Sequence, residues 1–212
     1  NDGWLDIFTS TYNGKNYFII NDQQGFVAPV VEIFSTGDSI LTMAVGFADI
    51  DKDGDLDGML GNWSYGVESS TAVHSQNYVF LNDTNNIRYL EVSEVKGETL
   101  SILLSDLNDD SQIDALVTND FSIPDQFYSS DGTTLMPVNF VSLSLPVSPV
   151  HSMSVDSADF NNDLKLDLFS VDMSFDEGLE LEASLATELA GTVNFVEGGA
   201  SCLAKRSPEW RR

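Results

Sequence analysis

The sequence predicts an all-β fold built from one repeated unit, and three observations support this prediction. An acidic nine-residue pattern recurs along the chain at intervals of 51, 57 and 53 residues. Short segments rich in β-branched and aromatic residues flank its copies. A second pattern, an aromatic segment that ends in a polar turn, follows the first three copies. A repeat near fifty residues with strands between its markers is typical of a β-propeller or another repeat array.

The acidic pattern is densest in residues 49–57, where five aspartates occupy alternate positions and a glycine stands at position six. Further copies fill residues 106–114 and 159–167, and residues 1–6 match positions four to nine of a copy that lacks its start. Carboxylates this close repel one another unless a cation lies among them. Calcium suits such a loop because it accepts six to eight oxygen ligands in flexible geometry. The alternative is a solvated acidic turn, and the recurrence argues against it.

In a loop of this kind, the side chains at positions one, three, five and nine and the carbonyl at position seven can reach one centre. The first complete loop offers the side chains of Asp49, Asp51, Asp53 and Asp57 and the carbonyl of Asp55. The second offers Asp106, Asn108, Asp110 and Asp114 and the carbonyl of Gln112. The third offers Asp159, Asn161, Asp163 and Asp167 and the carbonyl of Lys165. The truncated copy retains Asp2, Asp6 and the Trp4 carbonyl. We therefore expect three complete calcium sites and one truncated site.

The loop chemistry is not that of an EF-hand. An EF-hand needs a glutamate at position twelve and helices on both sides of the loop. Here position twelve is Leu60, Val117 or Ser170, and each lies in strand-like sequence. Glycine eases the turn at position six in the first complete loop, whereas Ser111 and Leu164 take its place in the other two. We expect those two sites to bind calcium more weakly.

Position eight is aliphatic in all four copies, as Leu5, Leu56, Ile113 and Leu166. We expect this side chain to anchor the loop to the core while the polar side chains turn to the ion. Strand-like segments on both sides indicate that each complete loop joins two strands. The aromatic hairpins are expected at 16–22, 77–83 and 125–132.

Two segments depart from the repeat. The second unit carries about ten extra residues between Trp63 and His74, which fits a ligand-binding loop as well as neutral drift in length. Trp63 and Tyr65 there could stack on a sugar or a partner, although packing between blades is the commoner use of such aromatic residues. Residues 176–212 form a tail that is either a divergent blade or a helical or irregular segment.

The composition excludes several classes of partner. The formal charge is −25, from 34 acidic and 9 basic residues. Nucleic acids and anionic membranes are poor partners for such a chain because both bind through lysine and arginine. Cys202 is the single cysteine, so an internal disulfide and a cysteine-based zinc site are excluded. No apolar run approaches the ~20 residues that span a bilayer. Because the chain opens inside a motif, we expect the true N-terminus to be missing.

The D-x-[DN]-x-D-x-x-x-D loops between strands resemble those of the FG-GAP/VCBS repeats of integrin-α-type β-propellers. Residues 1–8 (NDGWLDIF) and 159–169 (DFNNDLKLDLF) are especially similar to bacterial members. The resemblance covers about residues 1–175, or four units of which the first is truncated. It implies four-stranded antiparallel blades in an incomplete or partial propeller, with calcium in a structural role. It also implies an extracellular, cell-surface or periplasmic location.

The function expected from this resemblance is binding or adhesion, with a protein or a carbohydrate as the ligand. The alternatives are a domain of a secreted carbohydrate-active enzyme (lyase-like), a lectin, or a purely structural repeat. The two histidines, His74 and His151, lie in unrelated contexts, and nothing in the sequence places a nucleophile or a base beside either of them. We therefore expect no catalysis.

Overall fold

The fold is all-β in the computed structural model of the chain. The structure describes residues 3–11, 15–23, 25–26, 30–33, 41–63, 75–83, 86–92, 96–121, 123–138 and 151–173. Most of the Trp63 to His74 insertion and the whole 176–212 tail lie outside these ranges. The described residues form four antiparallel sheets whose strands follow one another in chain order. No helix among the described residues is long and apolar enough to cross a membrane.

Strand bounds repeat from sheet to sheet. The first sheet contains β1 (Ile7–Thr9), β2 (Asn16–Ile19) and β3 (Val30–Ile33). The second contains β4 (Thr42–Ala48), β5 (Asp57–Asn62), β6 (Tyr78–Asp83) and β7 (Asn86–Glu91). The third contains β8 (Glu98–Ser105), β9 (Asp114–Asp120), β10 (Gln126–Ser130) and β11 (Leu135–Val138). The fourth contains β12 (Ser152–Ala158) and β13 (Asp167–Asp172). The predicted strands and hairpins are confirmed in these ranges.

Each complete acidic loop joins the first strand of a sheet to the second. The residue before the loop pairs with loop position nine in all three cases: Ala48 with Asp57, Ser105 with Asp114, and Ala158 with Asp167. All three pairs also carry a register shift near the opposite end, after Thr42, Thr99 and Ser152. The loops therefore lie at one end of the sheets and the bulges at the other.

Apolar packing joins neighbouring sheets. The main core contains Ile50, Met59 and Val79 from the second sheet and its loop, packed with Val117 and Tyr128 from the third. Four phenylalanines link the first sheet to the second through ring contacts of 5.3 to 6.1 Å between centroids: Phe8, Phe18, Phe47 and Phe80. Gly58 faces this cluster, and a Cβ there would come within 2.3 Å of the Phe80 ring. Apolar packing is, however, not the only kind of contact between neighbouring sheets.

Buried polar side chains also connect each sheet to the next. Asn16 Nδ2–H donates to Thr42 Oγ1 at 2.7 Å, and the Thr42 hydroxyl donates to Asn62 Oδ1 at 2.7 Å. The same arrangement recurs one sheet later. There Asn77 Nδ2–H donates to Thr99 Oγ1 at 2.9 Å, and the Thr99 hydroxyl donates to Asn119 Oδ1 at 3.0 Å.

The first strands β4, β8 and β12 contact one another in sequence, as the inner strands of propeller blades do. The second and third sheets are complete four-stranded antiparallel blades. Among the described residues the blades do not close into a ring. The fold is a partial β-propeller, and the predicted fold class is confirmed.

Candidate metal centre

The three complete loops share one backbone turn, which is held by the side chains predicted to bind calcium. The carboxylate at position nine accepts a hydrogen bond from the N–H at position two. The distances are 2.8 Å for Ile50 N and Asp57 Oδ2, 3.1 Å for Leu107 N and Asp114 Oδ2, and 2.9 Å for Phe160 N and Asp167 Oδ2. Position nine thus closes each loop on itself at the start of the second strand.

Positions one and five fold the middle of each loop inward. The position-one carboxylate accepts from the N–H at position six: Gly54 to Asp49 at 3.2 Å, Ser111 to Asp106 at 2.8 Å, and Leu164 to Asp159 at 3.0 Å. The position-five carboxylate accepts from the N–H at position seven: Asp55 to Asp53 at 2.8 Å, Gln112 to Asp110 at 2.8 Å, and Lys165 to Asp163 at 2.9 Å. Position seven thus uses its N–H within the loop, and the contribution of its carbonyl to a metal site stays a prediction.

Position three is an aspartate in the first complete loop and an asparagine in the others. Its side-chain oxygen accepts from the N–H at position five in every case, at 3.3 Å for Asp51, 2.9 Å for Asn108 and 2.8 Å for Asn161. The asparagine Nδ2–H donates to the position-five carboxylate, at 3.1 Å from Asn108 to Asp110 and 3.3 Å from Asn161 to Asp163. At the four side-chain ligand positions those two loops therefore carry three carboxylates instead of four, which makes these positions less crowded with negative charge.

The first complete loop brings several carboxylates close together. Carboxylate oxygens of Asp49, Asp51 and Asp57 lie within 4.8 Å of one another. Asp49 Oδ1 is buried and accepts no hydrogen bond from the described residues. A buried carboxylate oxygen without a partner is costly. The potential ligand atoms around this point are all oxygens, which hard cations such as calcium prefer. The residues therefore fit a divalent cation.

Asp83 is a further acidic residue at this site, and the sequence analysis did not identify it. Its carboxylate lies within 4.8 Å of those of Asp51 and Asp53, although it follows the loop by more than twenty residues. The neighbouring Asn82 explains the approach, because its backbone N–H donates to Asp57 Oδ1 at 2.8 Å. The signal was present in the repeat, since Asp22, Asp83 and Asp131 occupy the same place after each aromatic strand.

Two loop carboxylates have a raised pKa, and burial is the main cause in both. Burial, followed by the negative charges of Asp57, Asp53 and Asp83, raises the pKa of Asp51. Burial also raises the pKa of Asp114. Both shifts disfavour the ionised form, which a bound cation would favour. Calcium affinity of these loops should therefore fall as the pH falls.

Position six adopts a left-handed backbone in every copy of the loop. Its φ angle is 88° at Gly3, 93° at Gly54, 66° at Ser111 and 70° at Leu164. Glycine adopts this conformation freely, whereas residues with a Cβ are strained by about 1–2 kcal/mol. Leu164 gains nothing in return from packing, because 90% of its surface is exposed. The third loop therefore holds a strained residue at a position where two other copies use glycine.

We expect Leu164→Gly to raise the free energy of unfolding by about 1 kcal/mol, because it relieves left-handed strain and uncovers no core. Urea denaturation would measure the change. The reciprocal control is Gly54→Ser, which installs the residue found at position 111. A Cβ at Gly54 meets no atom within 4 Å, so its cost reports backbone strain alone. Equal stability of Leu164→Gly and the wild type would contradict the strain argument.

The prediction for position eight is wrong in three of the four copies. Leu5 is 86% exposed, and Leu56 and Leu166 are also exposed; only Ile113 packs against the core. Strand alternation explains the difference. In the first complete loop position nine points inward and is fully buried as Asp57, so Leu56 before it points outward. In that loop the buried apolar residue is instead at position two, where Ile50 belongs to the main core.

The structure places the remaining predicted ligands as follows. Asp2 lies outside the described residues. Asp6 accepts a hydrogen bond from Asn21 N at 2.8 Å, as Asp57 does from Asn82, and Trp4 is exposed. The described residues bring Asp49, Asp51 and Asp57 into one cluster and Asp53 into contact range of Asp51 and Asp83. The ligand sets of all four loops otherwise stay predictions, supported by the shared turn.

Comparison with known proteins adds one match. The family model for the FG-GAP-like repeat matches residues 1–58, which span the truncated loop, the first aromatic hairpin and the first complete acidic loop. No curated protein matches the chain. The matched segment ends just after Asp57, the residue that closes the acidic loop. The chain thus carries an FG-GAP-like repeat over residues 1–58, which confirms the resemblance for that segment.

Proposed function

We propose that the chain is a calcium-stabilised β-propeller module that binds a protein or glycan ligand outside the cytoplasm. The observation that carries the calcium assignment is the first complete loop. It gathers three carboxylates within 4.8 Å and leaves Asp49 Oδ1 buried without a hydrogen-bond partner among the described residues. The same turn in two further loops supports three sites of one kind. The FG-GAP-like match supports a binding or adhesion role.

Calcium in these loops would act as a structural brace. It would neutralise carboxylates that crowd one another and would fix the connection between the first two strands of a blade. In the second sheet the brace would extend to the third strand, because Asn82 N donates to Asp57 Oδ1. The protein's side chains would hold the ion and orient the hairpin, and the ligand would meet another surface of the blades.

An extracellular, cell-surface or periplasmic location follows from two considerations. FG-GAP repeats are typically found in extracellular proteins, and the family match extends over the first complete loop. Calcium sites in extracellular modules commonly bind with dissociation constants on the order of 10⁻⁴ to 10⁻³ M. Sites of that affinity fill outside a cell far better than in the cytosol. The acidic surface, at a formal charge of −25, suits a soluble module.

Calorimetric titration of chelator-treated protein with calcium tests the proposal. We expect about three binding events and a rise in Tm, since each ion stabilises the native state by about 2.7 kcal/mol at a hundred times its dissociation constant. Magnesium is the control, because its demand for octahedral geometry should make it bind more weakly. No heat with calcium and an unchanged Tm would refute the assignment.

The ligand class requires a separate experiment. A glycan array probed with the calcium-loaded protein and with the chelated protein distinguishes the candidates. Calcium-dependent binding to one glycan class would assign a carbohydrate ligand, and release of a modified saccharide would assign the enzyme alternative. An array without binding would favour a protein ligand.

A further inference from the structure

The junction between the third and fourth sheets differs from the two junctions before it. At those two, the linking residue is a buried asparagine, Asn16 or Asn77, whose amide donates to a threonine of the next sheet. At the third junction the equivalent residue is Asp125, which is only 4% exposed. Its partner on β12 is Ser152, whose hydroxyl donates to Asp125 Oδ2 at 2.7 Å. A carboxylate thus stands where the repeat elsewhere uses a neutral amide.

Aspartate in place of asparagine reverses the side-chain hydrogen bond to the next sheet, but it keeps the hydrogen bond from the backbone. Asn119 N donates to Asp125 Oδ1 at 3.0 Å, as Asn62 N donates to Asn77 Oδ1 at 2.8 Å. The second side-chain atom is a donor in asparagine and an acceptor in ionised aspartate. The single hydrogen bond that the Ser152 hydroxyl can donate therefore goes to Asp125.

Other titratable groups face the same junction. Asp172 on β13 pairs with Ser152 and accepts from His151 N at 3.3 Å. His151 Nδ1 lies 3.6 Å from Asp120 Oδ1 at the end of β9, and Glu98 pairs with Asp120 from β8. Among the described residues at this junction, four carboxylates thus stand with a single imidazole. Ionised Asp125 adds negative charge where negative charge is already in excess.

We propose that the contact between the third and fourth sheets is acid-responsive, with Asp125 as its titrating group. When protonated, Asp125 has the donor and acceptor pattern of asparagine. Its O–H can donate to Ser152 Oγ, and the Ser152 hydroxyl is then free to donate to Asp172, as Thr42 donates to Asn62 at the first junction. When ionised, Asp125 is a buried negative charge beside Asp172. The fourth sheet is therefore held more tightly in acid than at neutral pH.

The protonation of Asp125 supports this inference. Burial raises the pKa of Asp125 to about 6, and the hydrogen bonds from Asn119 and Ser152 offset only part of that shift. A carboxyl with a raised pKa binds more protons in the closed junction than in the open one. The closed junction therefore loses stability as the pH rises from about 4 to about 6 and stays at the lower level above that range. The opening constant should rise on the order of a hundredfold across this window.

Hydrogen exchange of the full chain as a function of pH tests the proposal, after correction for intrinsic exchange rates. In the wild type we expect protection of the β12–β13 amides to fall on the order of a hundredfold between pH 4 and pH 7. Protection of β4–β5, whose junction uses Asn16, should change far less. The series is measured with calcium and again with chelator, so that filling of the loops is separated from titration of the junction.

Two reciprocal variants sharpen the test. Asp125→Asn should abolish the pH dependence of β12–β13 protection and keep it high at pH 7. Asn77→Asp should transfer a similar dependence to the junction between the second and third sheets. A carboxyl titration of Asp125 by NMR should show a midpoint near pH 6. The proposal is overturned if Asp125 titrates at or below about pH 4, or if Asn77→Asp gains no pH dependence.

Discussion

Replacing Asp57 with asparagine is expected to abolish calcium binding in the first complete loop and to lower the free energy of unfolding by about 3 kcal/mol. Asp57 is fully buried and accepts hydrogen bonds with both oxygens, from Ile50 N at 2.8 Å and Asn82 N at 2.8 Å. An amide offers one acceptor where two are needed, and its NH₂ would face a backbone donor. Calcium titration and urea denaturation measure the two losses.

The matched control is Asp55→Asn, which removes the same unit of charge from the same loop. Position seven is predicted to contribute its carbonyl, and its N–H donates to Asp53, so this change keeps both backbone contacts. We expect about a threefold or smaller loss of affinity, the effect of one partly screened charge. If Asp55→Asn weakened calcium binding as much as Asp57→Asn, net charge and not ligand position would control the site.

The repeat and its loops were predictable from the sequence because each copy of the acidic pattern is local and the copies recur at regular spacing. Alternate aspartates around a glycine indicate a turn that needs a cation, and the flanking β-rich segments indicate that it joins strands. The turn at position six also had a local signal, since the glycine at 54 eases a turn whose left-handed backbone Ser111 and Leu164 share. Within each copy of the loop the residues that carry the signal lie within nine positions of one another, and the copies are recognised by their regular spacing.

The features that were missed depend on contacts across the sheet. Asp83 reaches the loop because β6 pairs with β5, which places the neighbouring Asn82 beside Asp57. The side on which Leu56 lies was misjudged because the aspartate after it is buried, which reverses the usual expectation that the aliphatic residue points inward. The hydrogen bonds between buried polar side chains of neighbouring sheets were not predicted from the sequence. Asparagine and threonine at strand ends look like ordinary turn residues until the next sheet is placed beside them.

Thr99→Val is the substitution that tests those links most directly. Valine has the shape of threonine but neither accepts from Asn77 Nδ2 nor donates to Asn119 Oδ1. Asn77, Thr99 and Asn119 are all buried, so both amides would lose a partner without gaining water. We expect the free energy of unfolding to fall by about 2–4 kcal/mol, because leaving buried polar groups unpaired costs about 1–3 kcal/mol each. Urea denaturation at saturating calcium measures the change.

Thr118→Val provides the control, because it makes the same chemical change one strand away. Thr118 is as buried as Thr99, yet its hydroxyl makes one long hydrogen bond to Ser101 O, at 3.4 Å. We expect it to cost less than about 1 kcal/mol. If Thr99→Val lowers the free energy of unfolding much more than Thr118→Val does, the loss belongs to the link between the second and third sheets. It would then not come from the burial of a hydroxyl as such. Similar losses would mean that apolar packing holds the blades together and that the polar side chains between them contribute little to stability.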